Sequence, residues 1–331
     1  MASPPLAAAT MKAAVALQPG GVDVLEIQQR PVPVPRAGQV LIRVRACGLN
    51  RLDLAVRQGL RPNLKFPRVL GVEAVGTVAA APGGEFRPGD IVATALGGMG
   101  MEYDGGCAEY TVVPATQAQA IRTALAWEKL GAVPEMLQTA WGSLFKSLRL
   151  ESGERLLIRG GTTAVGLAAA TIAKLHGAIV AATTRRPEHE MLLRASGVDQ
   201  VFIDKGVIAE QVREVLPGGV DKVLELVGPT LVDSLRCAKQ RGIVCMTGTV
   251  ADGHSSEGFR PMEAIPTTVC LTSYRGSVED FMQTPLEGLV EMIVSSQLPI
   301  QVGKVFGLEQ VADAHRCMEE NKAGGKIVIL T

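Results

Sequence analysis

The pattern of apolar and polar positions has two textures. Through residues 11–115, short β-branched runs such as "VLIRVRACGLN", "AVGTVAAA", "GDIVATAL" and "CAEYTVVP" are broken at Gly38, "PGGEFRPGD" and "GGMGMEYDGG". Runs of that length bounded by Gly and Pro predict a strand-rich unit. From about residue 128 the period changes. "EKLGAVPEMLQTAWGSLFKSL" carries apolar residues at helical spacing on either side of Pro134. Strands and helices then alternate: "RLLIRG", a helix to His176, "AIVAATT", helix "PEHEMLLRASG", "QVFID", helix "IAEQVREVL", "DKVLELVG", a helix around "LVDSLRCAKQ", and "GIVCMTG". These strands are apolar along their length, as expected of a parallel sheet covered on both faces. The tail predicts helix "TPLEGLVEMIVSSQ", strand "VGKVFGL", helix "LEQVADAHRCMEEN" and a last strand "KIVIL".

Length and composition narrow this picture. A chain of 331 residues, 47% apolar and 20% charged, suits about two globular domains. Lys plus Arg equals Asp plus Glu at 33 each, which argues against a nucleic-acid binder or a polybasic membrane binder. No apolar run reaches the ~20 residues of a membrane span. The start "MASPPLAAATMKAAV" lacks the basic region of a secretory signal and the arginines of a transit peptide, so residues 1–10 read as a disordered leader and the location as cytoplasmic. The six cysteines form no CxxC pair, and none pairs with a histidine at metal spacing. The four histidines, His176, His189, His254 and His315, leave the first half of the chain without one. No metal site is expected there.

The clearest chemistry lies in "RLLIRGGTTAVGLAAATIAK", residues 155–174. A strand that turns through glycine into a helix presents unpaired N–H groups and a positive dipole end, where a pyrophosphate binds. Gly160 and Gly161 make the turn, Thr162 and Val165 complete the loop, and Ala164 and Gly166 keep the helix start thin. Against a GxGxxG pattern, Thr163 replaces the middle glycine, where its hydroxyl is expected near the phosphates. A fold of this kind that prefers NAD places an acid about 20 residues on. Here the next strand ends "AATTRRPE", so Thr184, Arg185 and Arg186 occupy that place. With no carboxylate to repel a 2′-phosphate and two guanidiniums to pair with it, the preferred cofactor is NADPH. A solvated basic turn is the alternative.

Taken in order, "MKAAVAL", "GQVLIRVRACGLNRLDL", "PRVLGVEAVGTV", "RPGDIVA", "GGCAEYTVVP", "LQTAWGSLF", "LLIRGGTTAVGLAAATIAKLHGA", "GVDKVLELVG", "GIVCMTG" and "HRCMEENKAGGKIVIL" make the chain resemble the medium-chain dehydrogenase/reductase superfamily. The closest look is to its zinc-independent, ζ-crystallin-like quinone oxidoreductases. The resemblance implies an α/β fold: a GroES-like β-rich catalytic domain over residues 11–127, a Rossmann-type cofactor domain over 128–275, and a return to the catalytic domain over 276–331. Where zinc-dependent relatives carry G-H-E, this chain has Gly71-Val72-Glu73, and valine cannot bind zinc. Cys47 stands near the cysteine ligand position without partners, and the structural-zinc lobe after "EYTVVP" is missing.

The resemblance also implies site residues. Asn50 and Asp53 of "GLNRLD" are expected near the nicotinamide, Asn50 holding a cofactor hydroxyl or substrate oxygen and Asp53 orienting it; helix capping is the alternative for both. The tyrosine that many relatives carry just after this Asp is absent. Thr139, Val227 and Gly248 are expected beside the cofactor and Lys326 at its phosphate end, a solvated lysine being the alternative. Tyr103 and Tyr274 are candidates for an acceptor pocket, His315 reads as structural, and Glu73 as a paired buried acid. "IPTTVCLTSY" resembles the family's edge strands that pair between subunits, which implies a homodimer. The implied activity is metal-free hydride transfer from NADPH to a quinone or activated α,β-unsaturated carbonyl, a small-molecule partner. An enoyl-thioester reductase and an NADPH-binding regulatory or structural protein are the alternatives.

Overall fold

A computed structural model of the chain describes residues 9–248 and 259–331. The expected leader lies outside these residues except for Ala9 and Thr10, and Thr10 already pairs with Pro31 in the first strand pair. The chain divides into two compact units, residues up to Glu135 with Ser277–Thr331, and Met136–Gly276.

The first unit holds β1 (Thr10–Ala16), β2 (Leu25–Pro31), β3 (Gln39–Leu49), α1 (Arg51–Arg57), β4 (Arg68–Val69), β5 (Glu73–Ala80), β6 (Ile91–Ala95), β7 (Tyr110–Pro114), β8 (Ala118–Ala120) and α2 (Trp127–Leu130). Helix α3 (Pro134–Gly142) crosses the division. It starts at Pro134, which is tolerated in a first helical turn because its missing N–H would be unpaired there. The second unit contains β9 (Arg155–Arg159), α4 (Ala164–Leu175), β10 (Ile179–Thr184), α5 (Glu190–Ala195), β11 (Gln200–Ile203), α6 (Ala209–Val215), β12 (Val220–Glu225), α7 (Leu231–Cys237), β13 (Ala238–Met246), α8 (Pro261–Ala264) and β14 (Cys270–Ser273). The chain then adds α9 (Val278–Gln283), α10 (Leu286–Val294), β15 (Val302–Gly307), α11 (Val311–Glu319) and β16 (Lys326–Leu330) to the first unit.

Strand β3 organises the first unit. Its buried side chains Val40, Leu41, Ile42, Val44, Ala46, Cys47 and Leu49 face core on both sides. It pairs antiparallel with β5, with β7 through Gln39–Arg43, and with β16 through Ala46–Leu49. The last register matters most: Leu49 lies opposite Ile327, so Asn50 and Lys326, 276 residues apart in sequence, emerge side by side. Residues 128–135, which the alternation assigns to the cofactor-binding part, pack in this first unit. A side chain on Gly131 would meet Ala46 Cβ at 2.6 Å and Val328 Cγ1 at 2.9 Å.

The second unit is a six-stranded parallel sheet in the order β11-β10-β9-β12-β13-β14. Leu156, Leu157 and Ile158 at its centre are wholly buried, in keeping with helices on both faces. Successive strands run outward from β9 to one side and from β12 to the other, so β9 and β12 flank a switch point where ligands of open α/β sheets bind. The helix expected around "LVDSLRCAKQ" stops at Cys237, because Ala238 is drawn into the sheet opposite Val220.

Candidate active site and cofactor loop

The loop after β9 is braced from inside the second unit. Gly160 N–H donates to Thr183 Oγ1 at 3.1 Å, and Gly161 N–H to the Thr183 carbonyl at 3.1 Å. Thr163 caps α4: its Oγ1 accepts Gly166 N–H at 3.0 Å and donates to the Gly160 carbonyl at 2.9 Å. The hydroxyl expected near the phosphates is thus bonded in both directions within its own turn. The hydroxyl is engaged in satisfying a helix-end donor. Gly166 is required by close approach, since a Cβ there would sit 2.6 Å from the Gly160 oxygen. The N–H groups of Thr162, Ala164 and Val165 have no partner among the described residues. Three such donors at the start of a 12-residue helix point the way an anion is received at a helix N-terminus.

At the end of β10, Thr184 is buried and turns back on its own chain, its Oγ1 accepting Arg186 N–H and donating to the Arg186 carbonyl, both at 3.1 Å. Arg185 and Arg186 are exposed, and neither guanidinium has an ion pair or hydrogen bond among the described residues. Val227 follows β12, its N–H held by Glu225 Oε1 at 2.7 Å, and a Cβ on Gly160 would lie 3.2 Å from its Cγ2. Gly248 donates to the Glu225 carbonyl at 3.2 Å, and Thr139 lies half-buried on α3. Beneath the loop is a charged network not anticipated from sequence: Arg159, Glu225, Asp233 and Ser234, all buried. A hint was available in an apolar strand that ends in arginine, "RLLIR".

The first unit concentrates charge around Asn50. Asn50 Nδ2 donates to Glu73 Oε1 at 2.8 Å, and its Oδ1 accepts from Lys326 Nζ. Lys326 Nζ lies 2.9 Å from Glu73 Oε1 and 3.6 Å from Glu135 Oε2. Glu73 Oε2 accepts Glu135 N–H at 2.8 Å, so the paired buried acid expected at Glu73 is what the structure contains. Lys326 is only 5% exposed, which rules out the solvated alternative. Burial pulls its pKa down, but the Glu73 and Glu135 charges outweigh that and hold it above the ordinary value. Gly48 makes room for the cluster: a Cβ there would lie 2.2 Å from Glu73 Oε1 and 2.6 Å from Lys326 Cε.

Asp53 is committed to backbone. Its Oδ2 accepts Asn50 N–H at 2.8 Å and its Oδ1 accepts Val72 N–H at 3.0 Å, so it caps α1 and ties it to the segment before β5. Burial raises its pKa to about 7, helped by the Glu73 charge and opposed by the two N–H donors and Lys326. Cys47 and Cys107 lie with Sγ atoms 3.4 Å apart, both buried, and the neighbouring thiol and burial push Cys107 well up. His315 is fully buried, and burial followed by the Arg57 charge lowers its pKa to about 3. Tyr103 donates to Gln117 Oε1 at 2.8 Å within the first unit, and Tyr274 packs beside Gly142 within the second. Among the described residues no group of three or more His, Cys, Asp or Glu is arranged to hold a metal ion, and no helix is long and apolar enough to cross a membrane.

Known proteins share both units. Residues 36–123 match the alcohol dehydrogenase GroES-like domain, and residues 196–329 match the zinc-binding dehydrogenase model. The quinone oxidoreductase of Lama guanicoe is 30% identical over 336 residues, covering 94% of this chain and 94% of that one. The chain belongs to the quinone oxidoreductase family of medium-chain dehydrogenases/reductases. It is thus an oxidoreductase, built from a GroES-like β-rich unit and a Rossmann-type parallel-sheet unit. Mycobacterial Rv1454c, solved in complex with NADPH, superposes with a TM-score of 0.84 at 28% identity, over 97% of this chain and all of that one. A structure described as an NAD-dependent alcohol dehydrogenase superposes at 0.86 with 27% identity, over 97% and 100%.

Proposed function

We propose that this family member is an NADPH-dependent reductase that delivers hydride, without a metal, to a quinone or an activated α,β-unsaturated carbonyl. The carrying observation is the pair of exposed guanidiniums of Arg185 and Arg186 just after β10, unpaired among the described residues, on the sheet whose central strand feeds a loop with three N–H donors that have no partner among those residues. The NADPH complex of the mycobacterial relative supports the reading; the NAD-dependent relative is why it needs a test.

In this reading the cradle at Thr162, Ala164 and Val165 holds the pyrophosphate, shaped by Gly160, Gly161, Thr163 and Gly166. Arg185 and Arg186, set by Thr184, hold the 2′-phosphate through charged hydrogen bonds. Thr139, Val227 and Gly248 border the cofactor. Bound NADPH supplies the hydride, and the chain's own contribution is alignment and exclusion of water. Asn50 acts with its amide plane fixed between Glu73 and Lys326, and Asp53 holds the backbone of Asn50 in register. Lys326 adds a cationic centre that orients Asn50. The protein works as a cytoplasmic homodimer, joined through the β14 edge.

NADPH oxidation is to be followed by absorbance with ortho- and para-quinones, an alkenal and an enoyl thioester, alongside dissociation constants for NADPH and NADH. Turnover of quinones or the alkenal with tighter NADPH binding is expected. Turnover with the thioester alone, tight binding without turnover, or equal or tighter NADH binding overturns the reading. Metal analysis finding one tight zinc per chain, or sedimentation as a monomer at micromolar concentration, overturns those parts of it.

A further inference from the structure

Strand β9 buries Leu156, Leu157 and Ile158 and ends in a second arginine, the residue that leads into the glycine loop. That residue, Arg159, is fully buried. Its Nε and Nη2 donate to Asp204 at 2.8 and 3.1 Å, and Nη2 also donates to the Gly206 carbonyl at 3.1 Å. Its Nη1 donates to Asp233 Oδ2 at 2.7 Å and reaches Ser234 Oγ at 3.4 Å. Across the switch point, Glu225 ends β12 and is equally buried. Its Oε1 gathers the N–H groups of Val227 at 2.7 Å and Gly228 at 3.0 Å, and Thr230 Oγ1 lies 3.0 Å from each carboxylate oxygen. Ser234 Oγ donates to Glu225 Oε2. One buried hydroxyl therefore accepts from Arg159 and donates to Glu225, joining the two strand ends.

A buried ion network of this size is not needed for stability, because well-packed apolar side chains of similar volume do as well or better. What it does supply is fixed geometry. The backbone reinforces it, Leu226 N–H donating to the Arg159 carbonyl at 3.2 Å, and the two loops touch where Gly160 meets Val227. We infer that Arg159, Ser234 and Glu225 are positioning residues that couple the glycine loop to the 226–230 loop and thereby set the affinity for the dinucleotide. The inference rests on the reading of the glycine loop as the pyrophosphate site.

The test uses the full chain with Ser234→Ala and, independently, Arg159→Lys, which keeps the charge and loses the guanidinium fork. NADPH binding is followed by fluorescence titration, turnover at saturating NADPH by absorbance, and backbone exchange by hydrogen–deuterium exchange. Removing a hydrogen bond to a charged group is expected to weaken NADPH binding about tenfold. The acceptor KM and kcat at saturating NADPH should stay within about twofold, a split that loss of folded protein does not produce. Exchange in the cofactor-free protein should quicken in peptides covering 160–166 and 226–230 together. Unchanged NADPH affinity, or faster exchange confined to 226–230, overturns the inference. If Ser234→Ala does not fold, Arg159→Lys decides by the same readouts. If the unaltered protein binds neither dinucleotide, the proposed function fails, and the exchange data still decide the coupling.

Discussion

His315 makes stability depend on pH in a way that can be isolated. It sits on α11 one turn before Glu319, and Glu319 accepts from Arg57 of α1. The imidazole feels the charge of a buried guanidinium, and its own nitrogens have no hydrogen-bond partner among the described residues. Burial and the Arg57 charge lower its pKa to about 3, against about 6.5 in an unfolded chain. A histidine held neutral in the fold contributes nothing adverse above pH 6.5. Below it, the unfolded chain binds a proton that the folded chain refuses, so stability falls as pH falls, by about 1.4 kcal/mol per unit. Between pH 7 and 5 the loss from this residue alone is about 2 kcal/mol. Asp53 works the other way: with a folded pKa of about 7, it makes the fold more stable as pH drops from 7 toward 4. A difference measurement removes it. Urea unfolding of the unaltered protein and of His315→Leu at pH 7, 6 and 5 should show the unaltered protein losing about 2 kcal/mol more across the range. Parallel pH profiles would refute the reasoning.

Three further outcomes follow from the two sites. Lys326→Met strands Glu73 without its cation in a buried setting and should cost about 3–5 kcal/mol by urea unfolding, with Lys326→Met/Glu73→Gln less severe than the single change; a single-variant loss under about 1 kcal/mol contradicts the buried pair. Thr163→Ala should lower stability by about 1 kcal/mol through the lost cap, and Thr163→Gly by only a few tenths, as read by thermal melting. Equal costs would show that the hydroxyl does not cap α4. Arg185→Ala with Arg186→Ala should weaken NADPH at least about tenfold while leaving NADH binding within about twofold; parallel losses for both cofactors would remove the 2′-phosphate contact.

The legible parts of this fold were the ones written in local pattern. The alternation after residue 128 predicted the parallel sheet, because short strands with apolar centres alternate with segments of helical period. The glycine loop and the arginine pair were legible for the same reason, both being contiguous. The role of Thr163 was not, because whether a hydroxyl caps a helix or points outward depends on a backbone turn that composition does not specify. The surroundings of Lys326 were beyond reach as well. They arise from a β3–β16 register joining residues 276 apart, and nothing local marks a lysine at a strand start as buried.

Each unit places a pair of buried charges at strand ends, next to a segment of candidate function. Glu73 starts β5 and Lys326 starts β16, and between them they fix the amide of Asn50. Arg159 ends β9 and Glu225 ends β12, and between them lies the hydroxyl of Ser234. Most other buried strand positions are Val, Leu, Ile or Ala, which stabilise by burial but do not direct a polar group. Hydrogen bonds to ions are directional and costly to leave unmade in a dry interior. Placing them where a rigid strand becomes a loop passes the strand's order into the loop without extending the sheet. The same placement explains why Gly48 is as necessary as the ions around it: any larger residue would displace Glu73 and Lys326 together, and Asn50 with them.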